Sequence, residues 1–390
     1  MAKRVAVPFK DTKLRIVGPS GDFFAHRVQR LDIPVNMPST TINELGNPKH
    51  AGIITDVPEV TSTFQAFDVS HTIFAYMTGT DPNAYPAGGV DIEELKYCDL
   101  IAYIKQADVA EHLKCIHAKY MLVTDFTYTY TVDGESTEEY SLGGSEKRYF
   151  ANDVIVDSGN LAAGVCTLEH TPKQLKNDDY IISMIVDGQW LKEGVDYTYD
   201  SVSREATVTE GATKHYLAVY HSDTPETMSW TDINDPSVPA AIRGKNIPVE
   251  IGTNHMYRVQ SVTIRGTYPN TKILEMGNTS VVGYIVDPPD ITGDISVMDT
   301  DNEIIALLTT GNLSSADGEW GVDEYDTQKL QLDVIIKDPA NPEVTLKTVR
   351  IPHMRITSDG TTSNVGGQLS ATFSFTSDDA RCIVYSGAAP

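Results

Sequence analysis

His112, Cys115 and His117 are the residues whose types and spacing come nearest to chemistry, because imidazole and thiolate are the donors zinc prefers. On a strand, however, Cys115 and His117 share one face while His112 takes the other, and no fourth donor is near in sequence. The bland reading is a polar-faced strand with a buried thiol. Asp299-Thr300-Asp301-Asn302-Glu303 offers oxygen ligands for calcium but lacks the glycine at the sixth position of an EF-hand loop, so a helix cap explains it better. Gly143-Gly144-Ser145-Glu146-Lys147 lacks the Gly-Lys-Ser/Thr ending that sets a lysine on phosphates, and the sequence has no G-x-S-x-G elbow and no H-E-x-x-H pair. With 54 Asp and Glu, any two carboxylates could be offered as an acid–base pair, and none stands out. Asn278-Thr279-Ser280 and Asn312-Leu313-Ser314 fit the glycosylation pattern, which is idle without export. Phe126, Tyr128 and Tyr130 would make either a sugar platform or a sandwich core. The expectation is a protein that is not an enzyme, with no catalytic residue, no cofactor and no metal.

The elements that would carry these residues read as strands. Phe126 to Thr131 and Ser370 to Phe375 alternate apolar and polar residues, the period-two signal of a half-buried strand. Phe64 to Val69 and Ile295 to Met298 read the same way. Asp99 to Lys105 is ambiguous by itself. Its counterpart Leu332 to Lys337 runs into Asp338-Pro339, which argues for two strands ending in turns. Ser70 and Asp301 are N-cap types, each followed by an apolar run, so two short helices are expected there.

Those parallels belong to an internal repeat. Residues 26–79 lie over 257–310 without a gap, giving 19 identities in 54 positions at an offset of 231, where unrelated sequences give roughly 3. A weaker block, 119–150 over 352–383, follows in the same order and matches Met121, Thr124, Val132, Gly134, Ser141 and Arg148 with Met354, Thr357, Val365, Gly367, Ser374 and Arg381. The organisation is two strand-rich units, 1–150 and 232–390, around an unrelated segment, 151–231. That middle segment reads as a small immunoglobulin-like sandwich, with strands near Tyr180 to Val186, Trp190-Leu191, Tyr197 to Tyr199 and Ala206 to Thr209.

Composition sets outer limits. The 390 residues are 41% apolar and carry a formal net charge of −24, the wrong sign for tight binding to nucleic acid. Four scattered cysteines are too few to staple the fold. Lys3-Arg4 has no apolar core after it, and no run approaches a membrane span, so a soluble, reduced, cytoplasmically made protein without membrane insertion is expected.

In each repeat an opening strand runs into a long loop (Val28 to Pro58, containing Leu45-Gly46-Asn47). A strand then feeds a short helix (Phe64 to Met77), and a closing hairpin turns on Val132-Asp133-Gly134. This pattern resembles the tail-tube proteins of long-tailed bacteriophages over about 300 residues. The resemblance implies two tandem β-sandwich or barrel domains, each with one flanking helix. In that family six such domains close into a ring, and rings stack into a tube through which DNA leaves the virion. A chain with two copies would then need three subunits, a trimer with pseudo-sixfold symmetry. Its implied partners are itself, other tail proteins such as the tape measure, the terminator and a sheath, and genomic DNA that passes without specific binding. Its implied location is the virion tail, after assembly in the host cytoplasm. An acidic wall suits a conduit for a polyanion. The long loops at 34–58 and 265–289 are expected to touch neighbouring subunits or rings through Pro38, Glu44, Gly46, Asn47, Asp56 and Pro58, and through Pro269, Glu275, Gly277, Asn278, Asp287 and Pro289. Shared ancestry alone would also keep these positions in register. A rival expectation is a carbohydrate- or surface-binding module of a tail tip or cell wall, and a weaker one is a glycan-cleaving enzyme.

Overall fold

The computed structural model describes residues 12–43, 45, 50, 52–67, 70–95, 97–105, 112–151, 154–209, 213–222, 244–252, 254–276, 281–298, 303–310, 329–362 and 369–390. They form a mainly β protein. The first unit contains β1 (Thr12–Gly18), β2 (Gly21–Phe24), β3 (Val28–Asp32), β4 (Val35–Asn36), β5 (Ser39–Ile42), β6 (Gly52–Thr55) and β7 (Glu59–Ala66). Helix α1 (Thr72–Thr78), β8 (Val90–Asp91), β9 (Tyr97–Lys105), β10 (His112–Thr131), β11 (Thr137–Gly144) and β12 (Glu146–Phe150) complete it. The middle segment holds β13 (Val154–Asn160), β14 (Val165–Thr167), β15 (Ile181–Val186), β16 (Gln189–Leu191), β17 (Tyr197–Asp200), β18 (Glu205–Val208) and β19 (His215–His221). The last unit runs through β20 (Val249–Ile251), β21 (Asn254–Met256), β22 (Val259–Thr267), β23 (Asn270–Ile273), β24 (Gly283–Val286) and β25 (Asp290–Val297). It closes with α2 (Glu303–Thr310), β26 (Leu330–Lys337), β27 (Thr345–Thr362), β28 (Ser370–Ser377) and β29 (Ile383–Ser386).

Each outer unit is a sandwich built around one long strand. The amino-terminal half of β10 pairs with β9 and β12, and its carboxy-terminal half pairs with β11. A register shift between Val123 and Asp125 bends it from one sheet to the other. β27 does the same between β26 and β29 on one side and β28 on the other, with its shift between Ile356 and Ser358. Alternation explains the core: Val60, Ser62, Phe64 and Ala66 of β7 are buried, as are Ala371, Phe373, Phe375 and Ser377 of β28.

The two units repeat at the level of single pairings. Ala66 faces Glu138 as Val297 faces Ala371, and Ser39 faces Thr55 as Asn270 faces Val286. Arg27 and Arg258 both adopt a left-handed backbone, at φ 56° and 62°. Gln29 and Gln260 each donate their side-chain amide to the carbonyl of that arginine at 3.1 Å.

Where long loops were expected, each unit instead carries a hairpin, β5–β6 in one and β23–β24 in the other. Each is tied at its base, where Asp56 N–H donates to Pro38 O at 2.8 Å and Asp287 N–H to Pro269 O at 3.0 Å. Helix α1 ends on Gly79 at φ 77°, whose N–H returns to the Ala75 and Tyr76 carbonyls. The residue at its N-cap is His71 rather than the expected Ser70, although the Ser70 hydroxyl still accepts from Thr72 N–H at 3.3 Å. Asp301, the matching cap, lies outside the described residues.

The middle segment packs a four-stranded sheet, β13-β19-β15-β16, on a three-stranded one, β14-β18-β17, around its own core of Ile155, Leu168, Met184, Tyr197 and Tyr220. A further apolar cluster of Val17, Ile101, Tyr103, Ile182, Ile185 and Leu217 joins it to the β1–β9 side of the first unit.

Candidate subunit interface and polar sheet face

The seam between the two repeats is a strand pairing. Asp125 to Thr131 of β10 lie antiparallel to Thr267 to Ser261 of β22. The two inner sheets thereby become one eight-stranded sheet, β3-β7-β11-β10-β22-β25-β28-β27. The ladder extends past both ends, with Val132 N–H on Gln260 O at 2.9 Å and Tyr268 N–H on Thr124 O at 2.8 Å. Gly266 is required here: a Cβ on it would stand 1.9 Å from Cε1 of Phe126, whose ring lies over it. A second tie lies at β8, which pairs with β29, while Arg381 donates to Asp91 at 2.7 Å. Tyr268 O–H donates to Ile92 O at 2.7 Å, and Tyr85 O–H to Val384 O at 3.0 Å.

The same geometry leaves two open edges. β22 corresponds to β3 and β4 of the first unit, which pair on one side only, with β7. The matching half of β10 in the second unit is Ser358 to Thr362 of β27, which pairs only with β28. Among the described residues neither edge has a second strand partner. Pro34 does not spoil its edge, since its carbonyl accepts from Thr61 N–H of β7 and its missing N–H would point the same way. Lys147 donates its ammonium to Ile33 O, covering one carbonyl where the edge kinks between β3 and β4.

One face of the eight-stranded sheet packs on the core, and the other is polar along its length. It presents Glu59, Thr61, Thr63 and Gln65 of β7, then Thr137, Glu139 and Ser141 of β11, then Asp125, Thr127 and Thr129 of β10. Across the seam it continues through Ser261, Thr263, Arg265 and Thr267, then Asp290, Thr292, Asp294 and Ser296, then Ser370, Thr372, Ser374 and Thr376. Hydroxyls dominate, and with the edge strands included the carboxylates of Asp32, Glu59, Asp125, Glu139, Asp290 and Asp294 outnumber the three guanidinium groups, Arg265, Arg30 opposite Gln65 and Arg355 opposite Thr376. Arg265 is itself neutralised by Asp294 at 2.8 Å, and Ser374 donates to the other oxygen of that carboxylate. The ammonium of Lys272 pairs with Glu59 and holds that carboxyl below its usual range.

The expected contact residues are only partly brought together. Pro38, Asp56 and Pro58, and Pro269, Asp287 and Pro289, sit at the bases of the hairpins, while Glu275 is exposed near the tip of its own. Glu44, Gly46, Asn47, Gly277 and Asn278 lie outside the described residues. The hairpins expose apolar side chains at matched positions: Ile42 with Ile273, Ile54 with Ile285, and Leu45 with Met276, these last two at 105% and 106% of full exposure. The sequence reading did not foresee this apolar display.

The remaining chemical candidates find structural roles. Cys115 and His117 are wholly buried, and His117 Nε2 meets Asp99 at 3.0 Å. Ser183 of β15 donates to the same carboxylate at 2.5 Å, Tyr120 N–H at 2.8 Å and Trp190 Nε1–H at 3.3 Å, so Asp99 pins the middle segment to the first unit. No cluster of metal donors occurs among the described residues, and the calcium candidate at 299–302 lies outside them. Phe126, Tyr128 and Tyr130 are buried in the core rather than displayed.

Neither protein families nor curated proteins show a match to this chain. Geometry must therefore carry the functional reading. A half-open cleft of about 520 Å³ lies where Tyr120 and Trp190 meet Tyr284 of the second unit, flanked by Asn177, Lys192 and Glu193. Burial pushes the Glu193 carboxyl upward there.

Proposed function

We propose that this chain is a structural subunit of a bacteriophage tail tube, in which three chains close a ring of six sandwich units and rings stack into a conduit for DNA. The observation that carries the reading is the pair of open edges. β3–β4 and β27 correspond, strand for strand, to the two partners already joined at the internal seam. A contact of this head-to-tail kind is heterologous, and repeated by rotation it closes into a ring. Equivalent register would set Thr362 opposite Asp32 and Ser358 opposite Asn36 of the next chain.

The other features fit the same role. The polar face would line the bore, where hydroxyls and excess carboxylates let a polyanion slide without sticking. The middle segment packs on the far side of the first unit's core, where it would decorate the exterior. The apolar hairpins offer contacts for ring stacking, and other tail proteins would meet the ends of the tube. No step in this role needs catalysis. Negative-stain microscopy of the purified chain, and of virions labelled with antibody to it, should show hollow rings or tubes. Monomers alone in every condition and on particles would defeat the reading.

The cleft at Tyr120, Trp190 and Tyr284 favours a second function, glycan binding on the tube exterior. Aromatic faces beside amide and carboxylate groups are the usual furniture of a sugar site. A glycan array on the full chain, with Trp190→Ala as control, tests it.

A further inference from the structure

The two repeats share a bulge, and only the first unit strains it. β10 carries one extra residue against β9 between Ala118 and Met121, as β27 does against β26 between Ile351 and Met354. Tyr120 at the first bulge has a left-handed backbone, φ 53°, which its counterpart His353 does not adopt. Asp99 holds the distortion by accepting from Tyr120 N–H at 2.8 Å, and the Tyr120 ring stacks on Tyr97 at 3.8 Å. Trp190 of β16 meets Tyr120 at 5.4 Å and 70°, with its Nε1–H engaged by the same Asp99, so the two rings form a fixed corner. Tyr284 of β24 supplies a third side of the cleft from the second unit. Strain that turns an aromatic ring toward an open cleft is the kind a binding site retains.

The charges around this corner differ in what already holds them. Lys119 donates its ammonium to Ile182 O at 2.6 Å, and Glu146 accepts from Arg148 at 2.6 Å. Lys192 stands exposed at the rim. Glu193 is half-buried and accepts from Tyr180 N–H at 3.3 Å and Tyr197 O–H at 3.5 Å, but no cation pairs with it among the described residues. A carboxylate and electron-rich ring faces that share one cleft attract the same thing, a cation.

Resting on the reading of this cleft as a glycan site, we propose that it takes an organic ammonium group carried by the glycan, seated against Tyr120 and Trp190 with Glu193 balancing its charge. Such a group suits the corner because its charge is spread over carbon substituents that also bury apolar surface. A quaternary ammonium and the protonated amine of an amino sugar share this chemistry.

Ligand-observed NMR titration of the full chain tests it with choline and glucosamine. Their neutral counterparts are the choline isostere with carbon in place of nitrogen, and N-acetylglucosamine. An ammonium compound should bind more tightly than its neutral counterpart by about tenfold. Trp190→Ala should abolish binding, and Glu193→Gln should weaken it about fivefold. Because Trp190 also bonds Asp99, Glu193→Gln at an unchanged urea midpoint separates lost binding from lost docking. Choline alone would name a quaternary ammonium and glucosamine alone an amino sugar, and either upholds the proposal. Equal binding of charged and neutral partners overturns it, as does binding that Glu193→Gln leaves unchanged. If no ammonium compound binds while neutral glycans are retained on the array, the proposal fails and the glycan reading stands. If neither binds, both fall.

Discussion

Lys347 and Glu138 stand 2.6 Å apart with both side chains buried, and they belong to different repeats of the chain. Glu138 also accepts from Tyr130 and Tyr140, so the pair is the hub of a polar network inside an otherwise apolar seam. Removing one partner strands the other charge in the core, at a cost of about 3–5 kcal/mol. Lys347→Met or Glu138→Gln should each lower the unfolding free energy of the full chain, read from urea denaturation, by that much. Replacing both, as Lys347→Met with Glu138→Leu, should recover most of the loss. A double variant as unstable as the singles would show that the network, not the pair, holds the seam.

Gly266 allows the Phe126 ring to lie across the seam, and a methyl group there would overlap it. Gly266→Val should overpack this layer and cost about 1–3 kcal/mol. Val35→Gly, the matching position on the open edge, should leave the stability of the single chain within about 1 kcal/mol, since Val35 is exposed. Equal losses in chemical denaturation would contradict a seam between the repeats.

The sandwich strands were legible because each has one buried and one wet face, as in Phe126 to Thr131. Lys347 and Glu138 were legible too, in hindsight of the same alternation. Lys347 shares its face with Val349 and Ile351, and Glu138 with Tyr140 and Leu142, so each is a charge on an apolar face. The hairpins were not, because every residue from Ser39 to Ile42 is exposed and a strand without a buried face leaves no period-two pattern. Asp99 was equally hidden. Its partners His117, Ser183 and Trp190 come from three separate strands, and only the packing of the middle segment assembles them.

Asp99 gives that docking a pH dependence. Burial alone would raise its pKa, but hydrogen bonds and charge from His117, with bonds from Ser183 and Tyr120 N–H, outweigh burial and hold the carboxyl below its usual value. A depressed folded pKa contributes stability that is complete above the unfolded value, about 3.9, and is lost as pH falls through the lower folded value. Urea midpoints should therefore drop in the acid limb, below about pH 4. Asp99→Asn should be less stable at pH 7 by about 1.5–3 kcal/mol, through weaker hydrogen bonds, and should lack that part of the acid limb. An unchanged acid limb in the variant would assign it to other carboxylates.

The open edge at β4 offers its outward N–H groups to a neighbour, by analogy with β22, in which alternate residues through Tyr268 bond to β10. Val35 occupies the outward position equivalent to Gly266. Val35→Pro removes one such donor without touching a bond to β7, so the single chain should melt as before while ring formation is lost. Circular dichroism and sedimentation together check this. Rings formed as readily by the proline variant would mean that the edge is not the joint.

The polar face makes the sharpest distinction between a conduit and a binding surface. A wall of threonine, serine and excess carboxylate should retain no duplex DNA, even at low salt, because no cation array displaces counterions from the phosphates. Thr127→Lys, Thr263→Lys and Thr372→Lys together place three ammonium groups on one face of the sheet without altering its buried face. Filter binding should then detect DNA retention that falls with salt, with a log–log slope of about −0.9 for each phosphate contacted. The unmodified chain should show none. Tight binding of DNA by the unmodified chain would mean that this face grips its cargo, and a tube lined by it could not release a genome.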